Sequence, residues 1–144
     1  MTEVLLVDEP LDAAGLTSSV ESAQFGAVAT FVGNVRDNAR GKRVVAIEYS
    51  AYRPLALSEI QRIAREAETR WDGKSAIGHR LGQIPIGEAS VIIAFGSAHR
   101  GEAFDACRWM IDTLKATVPI WKRETYEDDE VWIEGDQAIP ALRG

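Results

Sequence analysis

Cysteine is almost absent from this chain: Cys107 stands alone among 144 residues, so no internal disulfide can form. Histidine is nearly as scarce, with only His79 and His99, too few alongside one cysteine for the usual Cys/His zinc sets. We therefore expect neither a resident metal nor a bound cofactor. No apolar run approaches the ~20 residues that span a bilayer, and MTEVLLVDEPLDAAG at the N-terminus has no basic leader. A cytoplasmic, unprocessed protein is expected, with no membrane partner. Repeats, low-complexity tracts and Pro/Gly/Ser linkers are also missing, which leaves residues 1–144 as one domain.

What is present is a composition able to build a core: 46% hydrophobic and 26% charged residues, with a formal net charge of −6. A domain of this size buries roughly 68–70% of the surface of its unfolded chain without cross-links. The charge is unevenly spread. Residues 1–22 hold five acids and no base, and residues 124–144 hold seven acids and one base, Arg143. Between them, residues 23–123 carry 10 acids and 15 bases. A basic centre inside an acidic protein suits a small anionic substrate, while the net field disfavours nucleic acid. Solvated helix and loop positions would explain the same bases.

Hydrophobic periodicity predicts the order β-α-β-β-α-β-β-α-β-β. Glu3–Asp8 reads as a strand and Leu11–Glu21 as a short helix with Asp12 in its first turn. Gly26–Arg36 and Arg43–Ser50 read as a hairpin with a long loop. Pro54 opens a helix whose apolar face is Ala56, Ile60, Ile63, Ala64, Ala67 and Trp71. Strands at Ser75–Leu81 and Ser90–Gly96, separated by the turn-rich Gly82–Glu88, extend the sheet. A helix over Arg100–Thr117 stops before Pro119, and Ile120–Tyr126 and Val131–Glu134 flank an acidic turn. Strands adjacent in sequence outnumber helix-separated ones, so the fold class is α+β with a largely antiparallel sheet.

Several segments could carry chemistry. SAHRGEAF sets His99 and Arg100 at a helix N-terminus, where free N–H groups and a guanidinium can hold an anion; local capping is the competing reading. Lys115, one position past Leu114 and four past Ile111, lies at the margin of the apolar face. On its own it reads as a C-terminal lysine complementing the helix dipole. Lys122 and Arg123 follow across Pro119, however, and two amines brought together could serve as general acid or base near neutrality. Arg36 alternates with Phe31 and Asn34 on a strand whose Gly33 leaves backbone room, whereas Arg40, Lys42 and Arg43 read as solvated loop bases. Cys107 reads as a small buried hydrophobe rather than a nucleophile, and His79 as structural.

Taken in order, FVGNVRD, RW at Arg70–Trp71 followed by HRLGQIPIGE, SAHRGEAF and LKATVPIWKRE resemble the large, catalytic subunit of molybdopterin synthase, the MoaE family. The resemblance runs over roughly Phe25 to Ile133. It implies an α/β hammerhead-like fold with an added subdomain and a homodimer. Each subunit would bind a small ubiquitin-like, MoaD-like sulfur carrier, making a heterotetramer. It also implies a sulfurtransferase that moves two sulfurs from the carrier's C-terminal Gly-Gly thiocarboxylate to cyclic pyranopterin monophosphate (precursor Z). The product is the dithiolene of molybdopterin. By motif position Lys115 and Lys122 would be catalytic, and Asn34, Val35, Arg36, His99 and Arg100 would hold the substrate and its phosphate. Arg123 and Glu124 would adjoin the same pocket. Trp132–Ile133–Glu134 is followed by Gly135 and Asp136, where some relatives carry a base, and residues 1–24 match no family motif. Rival classes are a noncatalytic carrier-binding module, disfavoured by retention of both lysines, and an enzyme of nucleotide-like phosphates, disfavoured by the lack of a P-loop or GxGxxG.

Overall fold

The computed structural model describes residues 2–127 in full and the backbone course of 130–134 and 137–138. Gly135, Asp136 and the middle of the acidic turn lie outside the described residues. The elements are β1 (Glu3–Val7), α1 (Ala13–Ser19), β2 (Ala27–Asn34), β3 (Asn38–Ala39), β4 (Lys42–Ala51), α2 (Arg53–Trp71) and β5 (Gly73–Arg80). They continue with β6 (Gly82–Ile84), β7 (Ala89–Ser97), α3 (Arg100–Thr117), β8 (Ile120–Tyr126), β9 (Glu130–Glu134) and β10 (Gln137–Ala138). The α+β class is as expected, but the strands form two sheets rather than one.

The first sheet runs β1-β5-β7-β2, with β1 parallel to β5 and the other pairs antiparallel. Its central strands are covered on both faces. Ile77, Ile93 and Phe95 face α2 and α3, which contribute Ile60, Ile63, Ala67, Met110 and Leu114. Ala76, Ile92 and Ala94 face α1 through Leu16 and Val20. Because successive side chains of a strand point to opposite faces, this double burial explains why VIIAFG is continuously apolar rather than alternating. Helix α1 is shorter than its sequence suggests: Asp12 is its cap, accepting from the Gly15 N–H at 3.1 Å, not a member of its first turn.

The second sheet has the order β10-β9-β8-β4-β3, with β6 also pairing β4, and all its pairs are antiparallel. The expected hairpin of Gly26–Arg36 with Arg43–Ser50 does not form. β2 pairs β7 in the first sheet, and β4 pairs β8 in the second. Val35 is tied instead to the β6–β7 turn, donating to Glu88 O and accepting from Gly87 N at 2.9 and 2.8 Å. The expected hairpin at the end of the chain forms as β8 with β9, and the loop between β2 and β4 holds a small hairpin of β3 with β4, turned by Arg40 and Gly41, both at positive φ (53° and 76°). Two consecutive positive φ values match the twist of paired strands, which is why a two-residue loop suffices there. Part of the presumed turn Gly82–Glu88 is the strand β6.

Close approach of backbones fixes the β7 end of the first sheet. A Cβ on Gly96 would run into the carbonyl oxygen of Val20 and lie 2.9 Å from Phe25, whereas nothing lies within 4 Å of one on Gly101. Gly96→Ala should lower the free energy of unfolding by about 2–3 kcal/mol through overpacking. Gly101→Ala, in an open helical position, should leave it unchanged or raise it by up to about 1 kcal/mol. Urea denaturation of the two variants measures both.

Candidate functional site

Helix α3 packs on the first sheet, and the strand that follows it belongs to the second. Ile111 and Leu114 are buried on the core side of α3, and Val118 and Ile120 continue that buried line across Pro119. The Val118 N–H closes the last helical turn on Leu114 O at 3.0 Å. This short connection returns the chain so that Lys115, in the last turn of α3, and Lys122, the third residue of β8, line the same two cavities. The smaller, about 60 Å³, is walled by Tyr49, His79, Ser90, Val91, Ile111, Leu114, Val118 and Ile120. The larger, about 160 Å³, is lined by Asn34, Val35, Arg36, Asn38, Ala39, Ile47 and Glu124 as well as the lysines. Of the residues expected to meet the substrate, Asn34, Val35, Arg36, Lys115, Lys122 and Glu124 are therefore brought together.

The larger cavity has a buried carboxylate in its wall. Glu124 is 3% exposed and accepts from Arg40 Nη1 at 2.7 Å and from the Tyr126 hydroxyl at 2.6 Å, while Lys122 Nζ stands 3.4 Å away. A carboxylate this buried requires donors on each oxygen, and these three supply them. The Arg40 pKa is raised, foremost by its hydrogen bond to Tyr126 and further by the Glu124 charge. The Tyr126 pKa is raised too, by burial first and then by donation to Glu124. Arg40 is thus not a solvated loop base: the β3–β4 turn delivers it across the sheet to Glu124.

Arg123 lies between Lys122 and Glu124 in sequence and so faces the other side of β8. It pairs with Glu48, its cross-strand neighbour, at 2.8 Å, and lines neither cavity. His99 and Arg100 are also elsewhere. His99 is the N-cap of α3, with no side-chain cap bond, and both residues border a separate depression with Gly26, Ala98, Gly101 and Glu102. Fifteen residues of helix separate Arg100 from Lys115, about 22 Å at 1.5 Å per residue, so within one chain the two ends of α3 cannot meet one small molecule. Cys107 sits in the core, donates to the Ile93 carbonyl at 3.7 Å, and is pushed up to about 11 by burial, which fits a structural thiol.

His79 was not expected in this site. It is 4% exposed in β5, yet it lines the smaller cavity beside both lysines and stands edge-on to Tyr49 with ring centroids 5.3 Å apart. Burial foremost, and the positive charge of Lys115 to a lesser degree, lower its pKa to about 4 against the hydrogen bond to the Arg80 carbonyl that raises it, so the ring is neutral. In the sequence it follows the short apolar run Ala76–Gly78 and precedes Arg80, and no local pattern tells a lining residue from a core one. Among the described residues, no helix is long and apolar enough to cross a membrane.

The family model described as MoaE protein matches residues 6–117. The molybdopterin synthase catalytic subunit of Bacillus subtilis is 46% identical over 129 residues, covering 89% of this chain and 82% of that protein. The crystal structure of molybdopterin synthase from Staphylococcus aureus superposes with a TM-score of 0.85 at 35% identity, over 90% of this chain and 95% of the other. The same fold, at 19% identity and a TM-score of 0.70, occurs in the protein–protein complex of subunits 1 and 2 of molybdopterin-converting factor from Helicobacter pylori, over 94% of this chain and 92% of that one. With most of its length matched by the family model and by a relative this similar, the chain belongs to the MoaE family, as its FVGNVRD, SAHRGEAF and LKATVPIWKRE motifs imply.

Proposed function

We propose that Lys115 and Lys122 are the groups with which this sulfurtransferase, a molybdopterin synthase catalytic subunit, handles the protons and developing charge of its reaction. The enzyme takes sulfur from the C-terminal thiocarboxylate of a small ubiquitin-like carrier and places two on cyclic pyranopterin monophosphate, forming the dithiolene of molybdopterin. The observation that carries the assignment is the convergence of the two lysines on one wall, seven residues apart across the Val118–Pro119 turn.

In one transfer the carrier's thiocarboxylate sulfur attacks the side-chain carbon that bears the cyclic phosphate and breaks its C–O bond, so the ring opens to a phosphate monoester; in the other it adds to the neighbouring carbonyl carbon, whose oxygen leaves as water as the next carbon loses a proton. Each leaves a thioester to the carrier. Water then adds to the thioester carbonyl and the C–S bond on the carrier side breaks, leaving the carrier as carboxylate and the sulfur on the pterin. The oxygen that leaves the carbonyl carbon as water needs a proton. An ammonium can donate that proton and stabilise the tetrahedral oxyanion, and a neutral amine can take one from water. Two such groups on one wall can share these tasks, with no protein nucleophile, because the thiocarboxylate is itself the nucleophile. Lys115, at the shared edge of both cavities, faces the carrier terminus, and Lys122 is the second amine, held by Glu124. Arg36, on the rim of the larger cavity with Asn34 and Val35, supplies a bidentate donor for phosphate.

Substrate contacts from His99 and Arg100 fit this reading only if a second copy of the chain presents them, and we infer a homodimer with one carrier on each subunit. The chain acts as one domain, in the cytoplasm, where reducing conditions preserve both the thiocarboxylate and free Cys107.

Lys115→Ala should lower single-turnover sulfur transfer by at least ~100-fold with the melting temperature unchanged, read by mass spectrometry of the product formed from thiocarboxylated carrier and cyclic pyranopterin monophosphate. A yield equal to wild type would remove Lys115 from the reaction. Glu124→Gln takes the charge away from Arg40 and Lys122 together. It should cost about 2 kcal/mol of stability and slow transfer, measured by denaturation and by the same assay.

A further inference from the structure

Among the described residues, His79 is the one buried titratable group beside Lys115 and Lys122 that the reaction above does not use. Its place in the fold is tightly set. β5 is a central strand, so the His79 backbone is paired with Leu6 of β1 on one side and Val91 of β7 on the other. Just beyond it Leu81 N donates to Val7 O at 2.7 Å, and the Arg80 side chain is held by Glu88 at 2.8 Å. The ring itself is oriented by Nδ1, which lies 2.9 Å from the Arg80 carbonyl oxygen. A carbonyl can only accept, so Nδ1 carries the proton and Nε2 is a lone pair.

What the ring offers the cavity is therefore an acceptor. The other polar groups on that wall are the amines of Lys115 from α3 and Lys122 from β8 and the hydroxyls of Tyr49 from β4 and Ser90 from β7. Ser90 donates to Gly33 O at 3.3 Å. Among the described residues no carboxylate lines the smaller cavity, so a protonated imidazole would face two ammonium groups across it. The cavity, about 60 Å³, exceeds the roughly 10–15 Å³ that a water needs, so an amine can reach Nε2 directly or through one water.

We propose that His79 is a positioning residue, whose Nε2 lone pair accepts a hydrogen bond from the Lys115 amine in the smaller cavity and holds that amine toward the reacting carbonyl. A neutral ring in one tautomer suits this role, since it orients a lysine without neutralising it. The long, flexible stem of lysine makes such an anchor matter, because an amine free among rotamers spends little time at the reacting atoms. The inference rests on the assignment of Lys115 made above.

Two substitutions separate positioning from structure. In His79→Asn the amide nitrogen can take the place of Nδ1, keeping the bond to the Arg80 carbonyl but leaving nothing at the Nε2 position. In His79→Gln the amide oxygen can take the place of Nε2 as acceptor. Two readouts serve: single-turnover sulfur transfer, and the rate at which Lys115 is acylated by acetic anhydride, quantified by mass spectrometry, which needs neither carrier nor substrate. The expected result is that His79→Gln stays within ~3-fold of wild type in both, whereas His79→Asn loses at least ~10-fold in transfer and shifts the Lys115 acylation rate. The reverse order, equal effects of the two substitutions, or failure of both variants to fold would overturn the proposal and leave His79 a structural residue. Lys115→Ala run alongside keeps the two readings apart: full transfer by that variant would sink the catalytic assignment, while the acylation comparison would still decide whether His79 holds Lys115.

Discussion

The two sheets have no strand in common, and the buried line Ile111, Leu114, Val118 and Ile120 is what locks them together. Those four residues belong to one core with α2 and the first sheet, yet the chain that carries them passes from a helix on that sheet to a strand of the other. The lysines follow from this constraint. Lys115 occupies the position next to a buried leucine in the last helical turn, and Lys122 projects from the same face of β8 as buried Glu124 and Tyr126. Neither needs a loop to place it, so both amines stand on rigid elements.

Electrostatically the site is a basic surface with one buried acid. Arg36, Lys115 and Lys122 border the larger cavity, and Glu124 is the acid in its wall. That carboxylate does not neutralise the site as a whole, since it is divided among Arg40, Tyr126 and Lys122. Its effect is geometric, holding Lys122 while the described lining keeps more bases than acids. Among the described residues the smaller cavity carries no acid, and its histidine is kept neutral by burial.

Helices α2 and α3 were legible because their apolar residues recur at helical spacing and because Pro54 and Pro119 punctuate them. Strand positions were largely legible as well, but their partners were not. β2 and β4 look like a hairpin since they are neighbours in sequence with a polar loop between them, and only the tie of Val35 to the β6–β7 turn sends them to different sheets. The same limit governs the site. Lys115, Lys122, Asn34 and Arg36 came from the motifs and converge as the motifs imply. Arg40 was hidden because its partner is 84 residues away, and Arg123 was misplaced because strand alternation turns it to Glu48. His79 was hidden because burial and cavity lining look alike in sequence.

The β3–β4 turn couples backbone strain to charge. Arg40 holds a left-handed conformation that a non-glycine residue adopts at a cost of about 1 kcal/mol or more, and its guanidinium reaches a buried carboxylate from that very conformation. The strand it turns out of, Asn38–Ala39, is part of the larger cavity's rim. The tip of the turn is thereby tied to β8 through Glu124 and the Tyr126 hydroxyl, so the edge strand at the rim is held by side-chain contacts as well as by its pairing with β4. The shape of the larger cavity is thus set in part by Arg40, a residue outside its described lining.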